Sequence, residues 1–493
     1  MKEKMNKISK WYCSNVPNKV EIVLAFVAFG LIFFNMYYQD NPVIFLNYYW
    51  SNEGLLHISS GSSLALSSMA YGIVQDIIGC IWVLPVNIVH LFAEIEPGNV
   101  ICMLYYKACI MIFVVLTVKE WKKTAGKLGI ADDNIRWMIY VGLTSIFMAL
   151  PLFHIAQTDA IYLWFFLKAY NAYLDGDHKH FILWSILAID VKYIILFAFI
   201  PLELLVEKRI LYILRDCVVG CILIPVQIIV RKLINAIYVS VSACVPMRMW
   251  DVASAAETSV EGGSTQTDFM MHFFNKMLYF EIPAIRKSYM ASVLVVLFIL
   301  LCIWCYLLKR SDDYKDVSIY VCVVSLGLFF SLSSPSPYWI VVMYPFVFLL
   351  IYKNAGKFRI NTILQLLYSF MMLLIYMDDQ GHVYGGAVSF NQLPLTEWFH
   401  IVPQGHTFEY GPQVYDYLAK TGIFGFMSVI TAICLAAAVA FVIINFPKSK
   451  VMLGVEDGIN DEERLHINHR LLTGQAIFLL VWFVINVYCV SRY

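Results

Sequence analysis

Apolar runs of roughly 17 to 25 residues recur along the whole chain, and no other feature restricts its fold so tightly. A run of about 20 apolar residues crosses a hydrocarbon core of about 30 Å as a helix, whereas barrel strands would be shorter and would alternate. With 60% of its 493 residues hydrophobic and 14% charged, the chain has too little polar surface to coat a soluble globule of this size. The expected fold class is therefore all-α, a polytopic membrane protein of about 11 to 13 transmembrane helices, with residues 1–493 forming a single integral membrane domain.

Thirteen spans are read at 20–38, 100–118, 136–153, 156–174, 180–191, 193–206, 210–240, 288–308, 317–333, 337–352, 360–377, 421–446 and 470–490. The pair 180–191 and 193–206 is short enough to form one bent element. The first run follows a lysine-rich start and lacks a small-residue cleavage site, so it reads as a retained anchor in a chain that begins at Met1. With the amino terminus in the cytoplasm, seven inner segments (1–19, 119–136, 175–180, 207–215, 309–316, 353–359 and 446–470) carry 24 Lys and Arg residues. The outer segments carry six, and this bias sets the orientation, with the carboxyl terminus outside.

Ser63 to Phe92 has the hydropathy of a further span, but inserting it would invert every later loop and place 119–136 and 353–359 outside. It is assigned instead to a first outer loop, 39–99, as helices lying on or dipping into the bilayer surface. That loop has no Lys or Arg and carries only Asp40, Glu53, Asp76, Glu94 and Glu96 as charges. Two more large outer loops follow, at 241–287 and 378–420. Inner connections are short except for 448–469 and contain no Walker-type nucleotide loop, so chemistry is expected on the outer face.

The balance of 35 basic against 35 acidic residues argues against nucleic acid as a partner. Most of the twelve cysteines lie in or beside apolar runs, where a thiol acts as a small hydrophobe, and no zinc spacing or disulfide framework emerges. The sequence has no Asn-x-Ser/Thr acceptor, which suits a bacterial plasma membrane.

Charges inside apolar runs are the candidate functional residues, because each is expensive in hydrocarbon unless it meets water, an opposite charge or a bound ligand. Lys192 interrupts the apolar stretch 180–206; it either snorkels or presents its ammonium to a phosphate at the outer interface. Asp190 is two residues away, so on a helix the two do not face each other. Lys107, Arg231 and Lys232 pose the same choice. Asp40 follows the first span in a loop without positive charge, where a carboxylate can accept a hydroxyl proton; the alternative is a helix start, with Asn41 capping and Pro42 at the first position. Asp159 and Thr158 stand where a helix begins and can simply cap it. Asp378 and Asp379 either position a hydroxyl-rich acceptor or form a solvated helix end, and two adjacent acids do not make a metal site.

Three stretches together resemble GT-C membrane glycosyltransferases, in particular the mannosyltransferase group that includes the enzyme adding the second mannose of GPI anchors. HIAQTDAIYLWFFLKAYNAYLDGDHKHFILWSILAIDVKYIILFAFIPLELL is similar to that group's hallmark: Gly-Gln-x-Asp at a helix start, an apolar span, a basic hairpin, a lysine at a break, and a second apolar run ending in Pro-Leu. Gln157, Asp159, Lys192, Pro201 and Leu202 fill those places, and Ala156 replaces the glycine. QDNPVIFLNYYWSNEGLL resembles the family's first outer loop at Asp40 and Gly54, and SLSSPSPYWIVVMYPFVFLLI a later loop-to-helix pattern at Tyr338 and Pro345.

The resemblance implies inverting transfer of a sugar from a polyprenyl-phosphate donor to a glycan or glycolipid acceptor. Asp40 would be the general base, Lys192 would steady the leaving phosphate, and His154, Gln157, Asp159, Tyr338, Asp378 and Asp379 would bind substrate. His154 has a second reading, as a satisfied interfacial histidine. No cofactor, nucleotide or metal is expected beyond the lipid-linked donor, and the remaining partners are membrane lipids. A transporter or flippase of lipid-linked glycans is the rival from another class; it predicts paired repeats, and none is evident. A polysaccharide polymerase would favour Arg-rich outer loops, and an acyltransferase a histidine in mid-span.

Overall fold

The computed structural model describes residues 15–34, 72–90, 92–93, 100–227, 229–230, 279–283, 288–308, 314–333, 337–379, 419–447 and 460–491. Its main helices are α1 (Lys19–Phe34), α2 (Ile73–His90), α3 (Val100–Lys127), α4 (Asp132–Thr144), α5 (Asp159–Leu174), α6 (His178–Val191), α7 (Leu196–Val206) and α8 (Ile210–Gly220). After a short antiparallel hairpin, β1 (Tyr279–Pro283) with β2 (Ser288–Ser292), come α9 (Val293–Leu307), α10 (Tyr314–Leu332), α11 (Tyr344–Lys353), α12 (Phe358–Asp379), α13 (Met427–Ile444) and α14 (Asp461–Ser491). The hairpin, in and after the 241–287 loop, is the one departure from helix among the described elements.

The chain is a multi-pass helical membrane protein. Among the described residues, five helical stretches are long and apolar enough to span: Ile210–Gln227, Tyr314–Leu332, Ala355–Met377, Ile423–Ile444 and Asp461–Ile485. α4 with its continuation Ile146–Ile155 makes a sixth if that pair, bent by 72°, counts as one. This is fewer than the thirteen spans read from hydropathy, which sees composition and not breaks. Several of those runs are shorter apolar helices here, such as Tyr193–Val206, Val293–Leu307 and Tyr338–Lys353. Outward apolar side chains such as Phe26, Leu211 and Val218 suit lipid rather than water.

Local signals start the helices. Asn18 and Glu21 form a reciprocal cap on α1: the Asn18 side chain accepts from the Glu21 N–H at 3.0 Å, and Glu21 Oε2 accepts from the Asn18 N–H at 2.9 Å. Asp177 caps α6 by accepting from the His180 N–H. α5 and α11 lie at the centre of the bundle. Every residue of α5 except Trp164 and Lys168 is buried, as is all of α11 from Tyr344 to Tyr352. α5 packs along α6 and α3, α1 along α14, α12 along α13, and α7 against α9 and α10.

Polar contacts tie the lysine-rich segments together at one end of the bundle. Asn15 donates to Asp133, Lys127 pairs with Asp175 at 2.6 Å, and His178 meets Asp216 at 3.4 Å. Lys353 pairs with Asp316 at 3.2 Å and donates to the Leu128 carbonyl at 2.7 Å, and Arg359 meets Glu463 at 3.6 Å. These contacts run through all seven segments that the charge bias assigns to one face, save that Asp216 lies one residue beyond 207–215.

α14 starts earlier than hydropathy indicates. His469 lies in its third turn, fully buried, with Nδ1 2.8 Å from Glu21 Oε1 and its ring edge-on to Trp137. The 446–470 connection therefore ends as helix, and it holds a buried histidine that the sequence reading left in a loop. The Glu21 carboxylate, already the α1 cap, supplies the partner that makes this burial tolerable.

Candidate functional site

At the opposite end of the bundle, three interruptions of helical backbone converge. The first is a π-helical turn, Leu150–Ile155, which ends at Ala156 in the left-handed region (φ 51°, ψ 51°) before α5 begins. Ala156 is the only non-glycine at positive φ among the described residues. A glycine would adopt this backbone without the steric cost that a Cβ brings. The second is Lys192, extended at φ −155°, ψ 114°, which ends α6 and leads through a 3₁₀ turn, Tyr193–Ile195, into α7. The third is the 3₁₀ turn Pro337–Val342 ahead of α11, which packs against both the π turn and α5. Irregular backbone at membrane depth is tolerated where protein surrounds it, and π turns recur at functional sites.

The three breaks enclose one ion pair. Lys192 Nζ lies 2.5 Å from Asp159 Oδ1, with side chains 2% and 1% exposed. The ammonium also lies 4.3 Å from the Trp339 ring centre and 5.4 Å from the rings of Tyr338 and Tyr162. Aromatic faces stabilise a desolvated cation, so the lysine is held by a carboxylate on one side and by rings on the others. Asp159 sits in the first turn of α5, where the helix dipole favours its charge. Thr158 occupies the cap position and makes no side-chain cap bond.

The structure thus brings Asp159, Lys192 and Tyr338 together, with Gln157 buried two residues before Asp159. Lys192 does not snorkel, because the break turns its side chain into the protein. His154 is buried with its ring edge-on to Trp482 of α14, 4.8 Å between centres. Lys107 does not snorkel either; it is fully buried and donates to the Phe33 and Phe153 carbonyls at 2.6 and 3.2 Å, holding the end of α1 to the π turn. Asp378 and Asp379 end α12, and their side chains lie outside the described residues, as does the whole of Asp40.

Asp190 has a role the sequence did not indicate. Its Oδ2 accepts from the Val74 N–H at 2.8 Å, so a carboxylate from α6 covers the start of α2. Gly72 makes this docking possible, since a Cβ there would lie 1.9 Å from the Asp190 carbonyl oxygen. The start of α2 is thereby tied within two residues of Lys192. Trp339 and Tyr162 were likewise missed, because aromatic residues are common in such a chain and carry no signal until a cation is placed beside them.

Outside the spans, between α7 and α8, Arg209 donates to both Glu207 oxygens at 2.9 and 2.7 Å. This pair holds the Glu207 carboxyl down at about 2. No family model matches the chain, and no curated protein and no solved structure matches it.

Proposed function

We propose that this protein is a membrane glycosyltransferase of GT-C type, moving a sugar from a polyprenyl-phosphate donor to a hydroxyl of a glycan or glycolipid acceptor. The carrying observation is the buried Asp159–Lys192 pair beneath Trp339, Tyr338 and Tyr162, set where three helix breaks meet. A cation, a carboxylate, a glutamine and aromatic faces in one place are the groups that recognise a sugar phosphate. In this reading the lysine-rich end faces the cytoplasm and the pair faces the outer leaflet, where a lipid-tethered donor can enter sideways.

The step is a displacement at the anomeric carbon. The acceptor oxygen forms the new bond, the bond from that carbon to the phosphate oxygen breaks, and the phosphate leaves with the electron pair on its lipid. Asp40 takes the acceptor proton, and Lys192 shifts from Asp159 toward the leaving phosphate. Asp159 then acts as a resting counterion that keeps the lysine charged and aimed while the site is empty.

One observation favours a second reading, a flippase for lipid-linked glycans. Discontinuous helices around a mid-chain charge are also how carriers build substrate sites. Purified protein in detergent, given a polyprenyl-phosphate sugar and an acceptor glycolipid, separates the two. Transfer yields a new glycosidic bond without a sealed membrane or nucleotide sugar, and Asp40→Asn lowers it by about 10²- to 10⁴-fold. Vectorial movement in vesicles with no bond formed would establish the flippase instead, and near-normal turnover of Asp40→Asn would remove Asp40 from the mechanism.

A further inference from the structure

The end of α6 away from Lys192 carries a second cluster, unrelated to the ion pair. α6 spans 14 residues, so the two sites stand about 20 Å apart along one helix. His178 opens α6, Glu203 comes from the last turn but one of α7, and Asp216 from the middle of α8. The Glu203 and Asp216 side chains are 0% and 4% exposed, while His178 is 37% exposed.

His178 Nε2 lies 3.1 and 3.2 Å from the two Glu203 oxygens and 3.4 Å from Asp216 Oδ2. One nitrogen therefore faces three oxygens of two different carboxylates. A single N–H points well at only one acceptor, so a proton on His178 leaves this convergence largely unused. A cation at the shared point uses all of it. Zinc bonds of about 2.0–2.2 Å, at angles between 90° and 109°, place neighbouring ligand atoms about 2.9–3.6 Å apart. The His178 separations of 3.1, 3.2 and 3.4 Å fall inside that range, and one ligand atom from each of the three residues lies within 4.8 Å of the others.

The surroundings agree. Arg215 donates to Asp216 Oδ1 from Nε at 2.7 Å and to Oδ2 from Nη2 at 3.1 Å, which fixes the carboxylate and leaves a lone pair of Oδ2 toward His178. A cavity of about 290 Å³ adjoins His178 and Glu203, bordered by Tyr173, Arg209 and Tyr314, and gives an ion a way in and room for a water as fourth ligand. Arg215 offsets the charge of Asp216, but Glu203 is fully buried in an apolar helix, where an uncompensated carboxylate is costly.

We propose that His178, Glu203 and Asp216 form a binding site for a divalent transition-metal ion of the zinc class, clasping α6, α7 and α8 at the end of the bundle opposite the Asp159–Lys192 pair. One imidazole and two carboxylates suit such an ion better than magnesium, which prefers oxygen and retained water. The site is independent of the proposed glycosyl transfer and holds whether or not that reading does.

The test uses the full chain purified in detergent, stripped with chelator and titrated with Zn²⁺ and, in parallel, Co²⁺. The expected result is one saturable equivalent per chain, Co²⁺ absorption bands of a four-coordinate ion, and a metal-dependent rise in Tm. His178→Ala alters a part-exposed residue and should fold; it and Glu203→Gln should each weaken binding tenfold or more. His180→Ala should leave binding unchanged, because His180 pairs with Asp177 at the surface and outside the cluster. Absence of a saturable site in the wild-type chain, or wild-type affinity retained in His178→Ala and Glu203→Gln, would overturn the proposal and leave the cluster as a histidine hydrogen-bonded between two acids.

Discussion

Lys192 and Asp159 pair in surroundings where either charge alone would carry a large desolvation cost. Removing one partner strands the other, typically at a cost of about 3–5 kcal/mol, whereas removing both replaces an ion pair with smaller neutral groups. Lys192→Met and Asp159→Asn should therefore each destabilise the protein by that order, and the double variant by clearly less than their sum. Denaturant unfolding in detergent measures this cycle, and strictly additive losses would show that the two charges do not depend on each other. That Lys192 had to reach water, a carboxylate or a bound phosphate was legible in the sequence, since an ammonium in an apolar run is costly otherwise. Which partner was not, because Asp159 is 33 residues away and only the tertiary fold closes that gap. The same rule applied to Glu21 and Glu203 would have flagged both as acids needing company inside apolar runs.

At the scale of elements, the docking of α2 depends on Gly72 and Asp190 together. A methyl group on residue 72 would collide with backbone, which cannot rotate away as a side chain can. Gly72→Ala should push α2 off its seat, losing the Val74–Asp190 hydrogen bond, at a cost of about 1–3 kcal/mol. Hydrogen exchange resolved by peptide should show faster exchange in α2 with α5 and α6 still protected; equal protection of α2 in both proteins would sink the idea. Hydropathy identified the apolar stretch that contains α2 but not its seat, because a close approach of backbone to backbone leaves only a glycine in the sequence. Breaks were legible unevenly: the one at Lys192 coincides with the gap between the runs 180–191 and 193–206, whereas those at Ser145 and Met343 fall inside the runs 136–153 and 337–352. In the connection between α7 and α8, the Arg209 pair lowers the Glu207 carboxyl from 4.5 to about 2. A lowered carboxyl stabilises the fold above its unfolded value and loses that contribution as pH falls through the folded one. Thermal melts of wild type and Glu207→Gln should therefore differ slightly above pH 4.5 and converge as pH falls toward 2, the difference being small because the pair is near the surface. A gap that persisted at pH 2 would mean Arg209 does not hold the carboxylate.

At the scale of the whole molecule, sidedness is the property the sequence carries best, because positive charge is counted along the chain and needs no tertiary information. The seven segments that hold most of the Lys and Arg meet at one end, through contacts such as Lys127–Asp175 and Lys353–Asp316. They must therefore share one face of the membrane whichever face that is. The Asp159–Lys192 pair and the seat of α2 belong to the other end. Single cysteines introduced at 39–99, 378–420, 119–135 and 448–469, in a chain whose own twelve cysteines are replaced, read this out with an impermeant maleimide on intact cells. The first two regions should label from outside, and the last two only after the membrane is opened. Inverted but consistent labelling would keep the two-ended bundle and move the candidate site to the cytoplasmic face, ending the case for a donor from the outer leaflet. Outside labelling of 119–135 with 448–469 still protected would break the bundle itself, since contacts through Lys127, Lys353 and Arg359 place those segments at one end and no membrane can divide them.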